Sequence, residues 1–329
     1  MKRKPPHPIT LPQGGRVSLS YCPDYELRDV TKAVQETIDQ LGGIGQFVSP
    51  GESVLIKPNL IKGCPPEQAL TTHPAVVEAV VCQVLNAGGK PFIGDSPAFG
   101  ELSSVAAITG MEDICKRHGI PLVEFNKPVQ VSIPDAWIKS IALDRSALEA
   151  DKIINIPKLK THCQVGMSGS IKNLFGCVVG KRKPLLHFRA GDQDHRFGVM
   201  LVSIYNILNP ALNIIDGVIG MEGQGPTGGT PKFLGLIAAS TDGPAIDRIL
   251  CKIIGMPASS VEVLGALREH YNIEPDINKI QILGTPLKSF SGRTFTPPER
   301  AEIRFNLPRI ALSVLKQIRL RLIAKGRTL

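Results

Sequence analysis

The sequence predicts an α/β fold, with a largely parallel or mixed sheet flanked by helices and a basic helix at its C-terminal end. Two patterns predict it. Short β-branched or apolar runs at 53–56, 91–93 and 153–156 alternate with segments whose apolar residues recur every three or four positions. The helical segments stop at glycine, whereas the strands run into polar loops marked by Gly or Pro. A strand–helix–strand succession of this kind closes as a right-handed parallel crossover. In open α/β sheets, ligands sit beyond the carboxyl ends of such strands.

Residues 1–16 are basic, then rich in Pro and Gly, which predicts a flexible N-terminus before a first strand at 17–21. Residues 29–41 carry Val30, Ala33, Val34, Ile38 and Leu41 at helical spacing and stop at Gly42-Gly43. The buried strand at 53–56 leads into Lys57-Pro58-Asn59. Thr72 or His73 is placed to cap the next helix, and Pro74 suits its first position. That helix ends at Gly88-Gly89, and strand 91–93 closes on Gly94-Asp95-Ser96-Pro97. One helix over 103–118 leads to a strand at 122–125. Residues 128–150 read as irregular, with a short strand near 129–133 and a helical turn at 146–149. After strand 153–156 come a polar loop at 177–196, a helix at 197–208 and a strand at 212–215. Residues 216–231 read as a glycine-rich loop, 234–239 as a strand, 242–254 and 259–270 as helices, and 279–283 as the last strand. The α/β domain is expected over 17–299.

Function is concentrated in residues 152–176, KIINIPKLKTHCQVGMSGSIKNLFG. Pro157 ends the β-branched run because it has no N–H for a neighbouring strand. Beyond it, Lys158, Lys160 and His162 alternate with Leu159 and Thr161, so extended backbone points the three polar side chains the same way. Like charges held together cost energy unless an anion visits them. Each lysine alone reads as part of a solvated loop. Together with Gly166, Gly169, Lys172 and Asn173, at the start of an apparent helix with free N–H groups, they point to an anionic ligand. His162 suits proton transfer near neutrality.

The 216–231 segment, DGVIGMEGQGPTGGTP, supplies Gly220, Gly223, Gly225, Gly228 and Gly229, whose backbone can approach a ligand closely. Asp216 and Glu222 add carboxylates able to take up a proton. The segment matches neither a Walker loop nor a dinucleotide turn, so no nucleotide cofactor is expected. Five polar loops are expected to converge on one sheet edge: 57–59, 94–97, 158–162, 216–231 and 240–242.

Charge and cysteines narrow the classes. The chain carries +9, but residues 300–329 hold eight basic residues and one acid, leaving +2 on the other 299. The body is therefore nearly neutral, and nucleic acid is not expected as a partner. The tail places Ala311, Val314, Leu315, Ile318 and Leu322 in an apolar stripe beside Arg309, Lys316 and Arg319. Such a helix covers the domain's own core, docks a partner or lies on an anionic membrane surface. The seven cysteines form no C-x-x-C pair, and His73, His162, His187 and His195 form no close ligand pair, so no metal is assigned. Nothing resembles a signal peptide or a spanning segment, which leaves a cytoplasmic protein as the expectation.

The segments VLIKPNLI at 54–61, TTHPAVVEAVV at 71–81, GDSP at 94–97, IINIPKLKTH at 153–162, GSIKNLFG at 169–176, DGVIGMEGQGPTGGTP at 216–231 and ASTDGPAID at 239–247 resemble, in order, the domain of unknown function 362 family. The resemblance covers about 50–256. Many members look like iron–sulfur proteins through an appended ferredoxin-like segment, but this chain has no cysteine after Cys251, so that motif is absent in cis. The leading expectation is an enzyme doing isomerisation or redox chemistry on a small anionic metabolite, with an external electron carrier in the redox case. Lys57, Asn59, Asp95, Lys158, Lys160, Lys172, Asn173, Gly223, Gly225 and Gly228 would bind it, and His162 with Glu222 or Asp216 opposite would move a proton. One alternative is an iron–sulfur or other metal-dependent electron-transfer component using Cys64, Cys163 and Cys177. The other is a non-catalytic binding module directed by its tail.

Overall fold

The computed structural model describes residues 15–180, 183–191 and 194–299; the first fourteen residues and the basic tail from 300 lie outside them. The strands are β1 (Arg16–Tyr21), β2 (Ser53–Pro58), β3 (Lys90–Asp95), β4 (Leu122–Glu124), β5 (Pro128–Ser132), β6 (Ser140–Asp144), β7 (Lys152–Ile156), β8 (Lys158–His162), β9 (Gly166–Ser168), β10 (Leu212–Gln224), β11 (Gly228–Ser240) and β12 (Gln281–Gly284). The helices are α1 (Leu27–Asp39), α2 (Pro74–Asn86), α3 (Leu102–Thr109), α4 (Met111–His118), α5 (Arg145–Glu149), α6 (Ser170–Asn173), α7 (Lys183–Ala190), α8 (Arg196–Leu208), α9 (Gly243–Ile254) and α10 (Glu262–Tyr271).

The main sheet runs β12-β1-β11-β10-β7-β2-β3-β4, with β8 beside β10 and β9 beside β8. Strands β10, β7, β2, β3 and β4 are parallel, whereas β11 is antiparallel to both β10 and β1. The sheet is mixed, as expected. In β2, Val54 and Ile56 belong to one core with Val34 of α1 and Val80 of α2, while Leu55 belongs to the other with Ile249 of α9 and Leu264 of α10. Both faces are covered, which is why the strand is apolar without alternation. Each fully buried aliphatic side chain contributes about 1.5–3 kcal/mol by leaving water.

The structure corrects several expectations. The helix over 103–118 is two, because Gly110 takes φ +77° between α3 and α4. The irregular 128–150 segment contains a separate hairpin, β5 with β6, and the polar 177–196 loop contains α7. The glycine-rich 216–231 segment is no loop: β10 and β11 pair from Asn213↔Ser240 to Gln224↔Gly228 as one long hairpin. Because β11 runs back, Ser240 lies beside Asn213 at the start of β10, in the row of Asn155 and Lys57, while Gln224 and Gly228 stand at the opposite end of the hairpin. Pro157 ends β7, yet β8 continues the chain along β10 through Lys158↔Asp216 and Lys160↔Met221.

Candidate functional site

Strand alternation and sheet register bring three lysines to the carboxyl edge, and all three are buried: Lys57 at 0%, Lys158 at 1% and Lys160 at 1% exposure. Two are neutralised inside the fold. Lys57 Nζ lies 2.9 Å from Asp95 Oδ1 and donates to Pro58 O at 2.6 Å. Asp95 also accepts from the backbone N–H of Leu60 and Ser96. Lys158 Nζ lies 3.0 Å from Asp216 Oδ2 and donates to Tyr25 Oη at 2.6 Å. The Tyr25 hydroxyl donates to Asp216 Oδ1, and His73 N–H donates to Oδ2. His73 stacks on Tyr25 with ring centroids 3.6 Å apart and caps α2 through its side chain.

Lys160 differs. Its ammonium donates to Asn59 Oδ1 at 2.8 Å and Leu70 O at 2.7 Å, and among the described residues it meets no carboxylate. Lys172, on α6 and partly buried, has no hydrogen bond or ion pair among the described residues. Burial lowers the Lys172 ammonium to about 8. Burial, then Lys172, then Lys158 push Lys160 well below its ordinary value. A buried cation without a counter-ion is costly, and Lys160 lies beside the partly buried Lys172.

The imidazoles join this cluster. His162 accepts at Nδ1 from the N–H of Gln164 and Val165, at 3.2 and 3.4 Å. Burial, Lys172, His187 and Lys160 push it well below its ordinary value. His162 is therefore neutral, with its proton on Nε2. The expected base poised near pH 7 is replaced by a neutral hydrogen-bond donor. The His187 ring lies nearly parallel to it, centroids 5.8 Å apart, and packs on Phe197 at 3.7 Å. Its Nδ1 is buried without a partner among the described residues, and burial and Lys172 lower the ring to about 3.

Other expected site residues are engaged elsewhere. Glu222 accepts from Thr296 N–H at 2.7 Å and sits 3.6 Å from Lys232 Nζ, while Asp216 holds Lys158, so neither carboxylate pairs with His162. The N–H groups of Ser170 and Ile171, at the start of α6, donate to Asp247, which fills the expected anion position with the protein's own carboxylate. Gly223 O accepts from Thr161 Oγ1 and Gly225 O from Cys163 N–H, so the hairpin end lies against β8, whereas Gly228 only pairs with Gln224. Asn59 and Asn173 are hydrogen-bonded to each other at 2.9 Å. Sequence reasoning missed Tyr25 and Asn155, and weighed His187 only as a metal ligand. Asn155, the polar residue within the Ile153–Ile156 run, was the available signal. His195 binds Glu262 and Glu269, away from this cluster. Among the described residues no group of three His, Cys, Asp or Glu side chains could hold a metal ion, so Cys64, Cys163 and Cys177 do not gather. No helix among them is long and apolar enough to cross a membrane.

Residues 54–252 match the family described as Domain of unknown function (DUF362). The chain belongs to that family. It is 38% identical over 308 residues to "Thylakoid-associated protein sll1697" of Synechocystis sp. (strain ATCC 27184 / PCC 6803 / Kazusa), an alignment covering 93% of this chain and 95% of that one. Among solved structures, the lactate racemase apoprotein from Thermoanaerobacterium thermosaccharolyticum aligns with a TM-score of 0.48 and 13% identity, over 75% of this chain and 60% of that one.

Proposed function

We propose that this DUF362 protein is an enzyme that binds a small anionic metabolite, a carboxylate or phosphate, at the carboxyl edge of its sheet. One observation carries the reading: Lys160, buried, and Lys172, partly buried, lie together, and neither is ion-paired with a carboxylate among the described residues. An anion entering there recovers the Coulomb energy that Lys57 and Lys158 already obtain from Asp95 and Asp216. His162 presents Nε2–H to the bound group, polarising a substrate oxygen in a proton-transfer or redox step. Lys57, Lys158, Asp95 and Asp216 frame the site in this reading. A panel of phosphate, sulfate and simple carboxylates tests it by thermal denaturation. At 100 times its Kd a ligand adds about 2.7 kcal/mol of stability, and Lys160→Met and Lys172→Met should each abolish the response. Absence of any response in the parent protein, or an undiminished one in both variants, sinks the proposal.

A second reading concerns location. The thylakoid-associated relative and the apolar stripe flanked by Arg309, Lys316 and Arg319 both favour peripheral contact between the tail and an anionic lipid surface. The cytoplasmic location read from the sequence is compatible with such contact. Flotation with anionic vesicles should retain the full chain at low salt and lose the variant ending at residue 299; equal behaviour of the two removes this reading.

A further inference from the structure

Lys160 has a partner set unlike those of its neighbours, and it is held by amides. Asn59 Oδ1 accepts from Lys160 Nζ at 2.8 Å, while Asn59 Nδ2 donates to Asn173 Oδ1 at 2.9 Å. Asn173 Nδ2 donates to Asn155 Oδ1 at 2.8 Å, and Asn155 Nδ2 donates to Asn213 Oδ1 at 2.9 Å. Asn213 Nδ2 ends the chain on Tyr205 Oη at 3.1 Å. Every amide faces the same way.

The direction follows from the backbone. Asn173 Nδ2 also donates to Lys57 O, Asn155 Nδ2 to Ser170 O, and Asn213 Nδ2 to Ser240 O. Carbonyl oxygens only accept, so none of these three side chains can turn over without setting oxygen against oxygen. Both N–H bonds of each amide are thereby used. The Oδ1 ends must point back towards β8, and Asn59 is obliged to offer Lys160 its oxygen. Dipoles aligned in this sense strengthen one another and stabilise a positive charge at the accepting end.

We infer that Asn59, Asn173, Asn155, Asn213 and Tyr205 form a one-way relay that holds Lys160 as a ligand-facing cation without a counter-ion. Asn155, Asn213 and Tyr205 are positioning residues, because they act only through their neighbours. Lysine ammonium has three N–H donors. Asn59 Oδ1 and Leu70 O take two, and the third is left for an anionic oxygen. A carboxylate in the place of Asn59 would pair with the lysine and cancel the charge the ligand needs, and it would have no N–H to give Asn173 Oδ1. The groups facing Lys160 are Lys158 and, on its own strand, His162; Lys172 on α6; Cys64 after β2; and Asp95 at the end of β3.

The inference rests on the anion-binding reading, yet Lys160 can be followed without a ligand. Its ε-carbon titration by NMR is read in the parent, Asn59→Asp and Asn173→Ser proteins, together with calorimetric binding of inorganic phosphate. In Asn59→Asp the pH of half-protonation should rise by about two pH units and phosphate affinity fall at least about tenfold. In Asn173→Ser, Asn59 loses the acceptor that orients it, and half-protonation should fall by about one pH unit. A folded Asn173→Ser protein with an unmoved Lys160 titration overturns the relay. So does an unmoved titration in Asn59→Asp, which decides alone should Asn173→Ser not fold. A parent protein that binds no phosphate or carboxylate while Lys160 responds as described defeats the proposed function and leaves the relay standing.

Discussion

Two kinds of buried charge occur at the carboxyl edge, and single substitutions should separate them. Asp216 is fully buried and answers Lys158, Tyr25 and His73 at once. Asp216→Ala should destabilise by about 3–5 kcal/mol, since it leaves an uncompensated ammonium inside, and urea unfolding measures this. Adding Lys158→Met should recover much of the loss; no recovery would mean the pair matters through Tyr25 alone. His187 is the opposite case, an imidazole whose buried Nδ1 has no partner among the described residues. Its folded value of about 3 lies below the ordinary 6.5, so the unfolded chain binds the extra proton between those two pH values. Stability is therefore lost as pH falls below 6.5. His187→Phe keeps the packing on Phe197 and removes the proton site, and should gain about 2 kcal/mol at pH 5 relative to pH 7.5. Equal gains at the two pH values would show that His187 is already accessible to protons in the folded protein.

At the scale of elements, the β10–β11 hairpin sets where β8 lies. A Cβ on Gly225 would come within 2.0 Å of Thr161 O, so this glycine serves close approach of backbone to backbone. Gly225→Ala should lift the hairpin end and break the bond from Cys163 N–H to Gly225 O. Amide exchange at Cys163 should then quicken at least about tenfold, a loss of about 1.4 kcal/mol of local protection; unchanged exchange would refute that account. The same glycines explain where the sequence misled. Gly220 sits within a strand because Phe295 and Leu159 O leave no room for a side chain, and period-two apolar alternation cannot show through such residues. Strands with ordinary side chains, such as β2 and β7, were legible, as was the cap at His73. The split at Gly110 was not, because Ile108, Met111 and Cys115 keep helical spacing across it. Legibility of the site divides in the same way. Alternation alone placed Lys158, Lys160 and His162 on one side, whereas the partners that decide the two lysines' roles come from distant segments: Asp216 and Asn59.

Over the whole molecule, the charge that matters is local. The body outside residues 300–329 carries only +2, so long-range attraction for an anion is weak and the site must act at short range. Four parallel strands, β2, β3, β7 and β10, deliver Lys57, Asp95, the approach to Lys158 and Asp216 to one edge, and α6 adds Lys172 from above. The free site holds fewer protons than its side chains would in water, because burial lowers Lys160, Lys172 and His162, and the Lys172 charge lowers Lys160 and His162 further. An anion reverses that repulsion and raises all three. The complex therefore binds more protons than the free protein, and by linkage affinity must rise as pH falls. For Lys172, with its value of about 8, the steepest loss of affinity should come as pH rises through and above 8. Phosphate calorimetry at pH 8.5 in two buffers of different ionisation enthalpy should report net proton uptake on binding to the parent protein. Heat independent of the buffer would mean that these lysines are already fully charged before the anion arrives, and the coupling between charge and ligand would be lost.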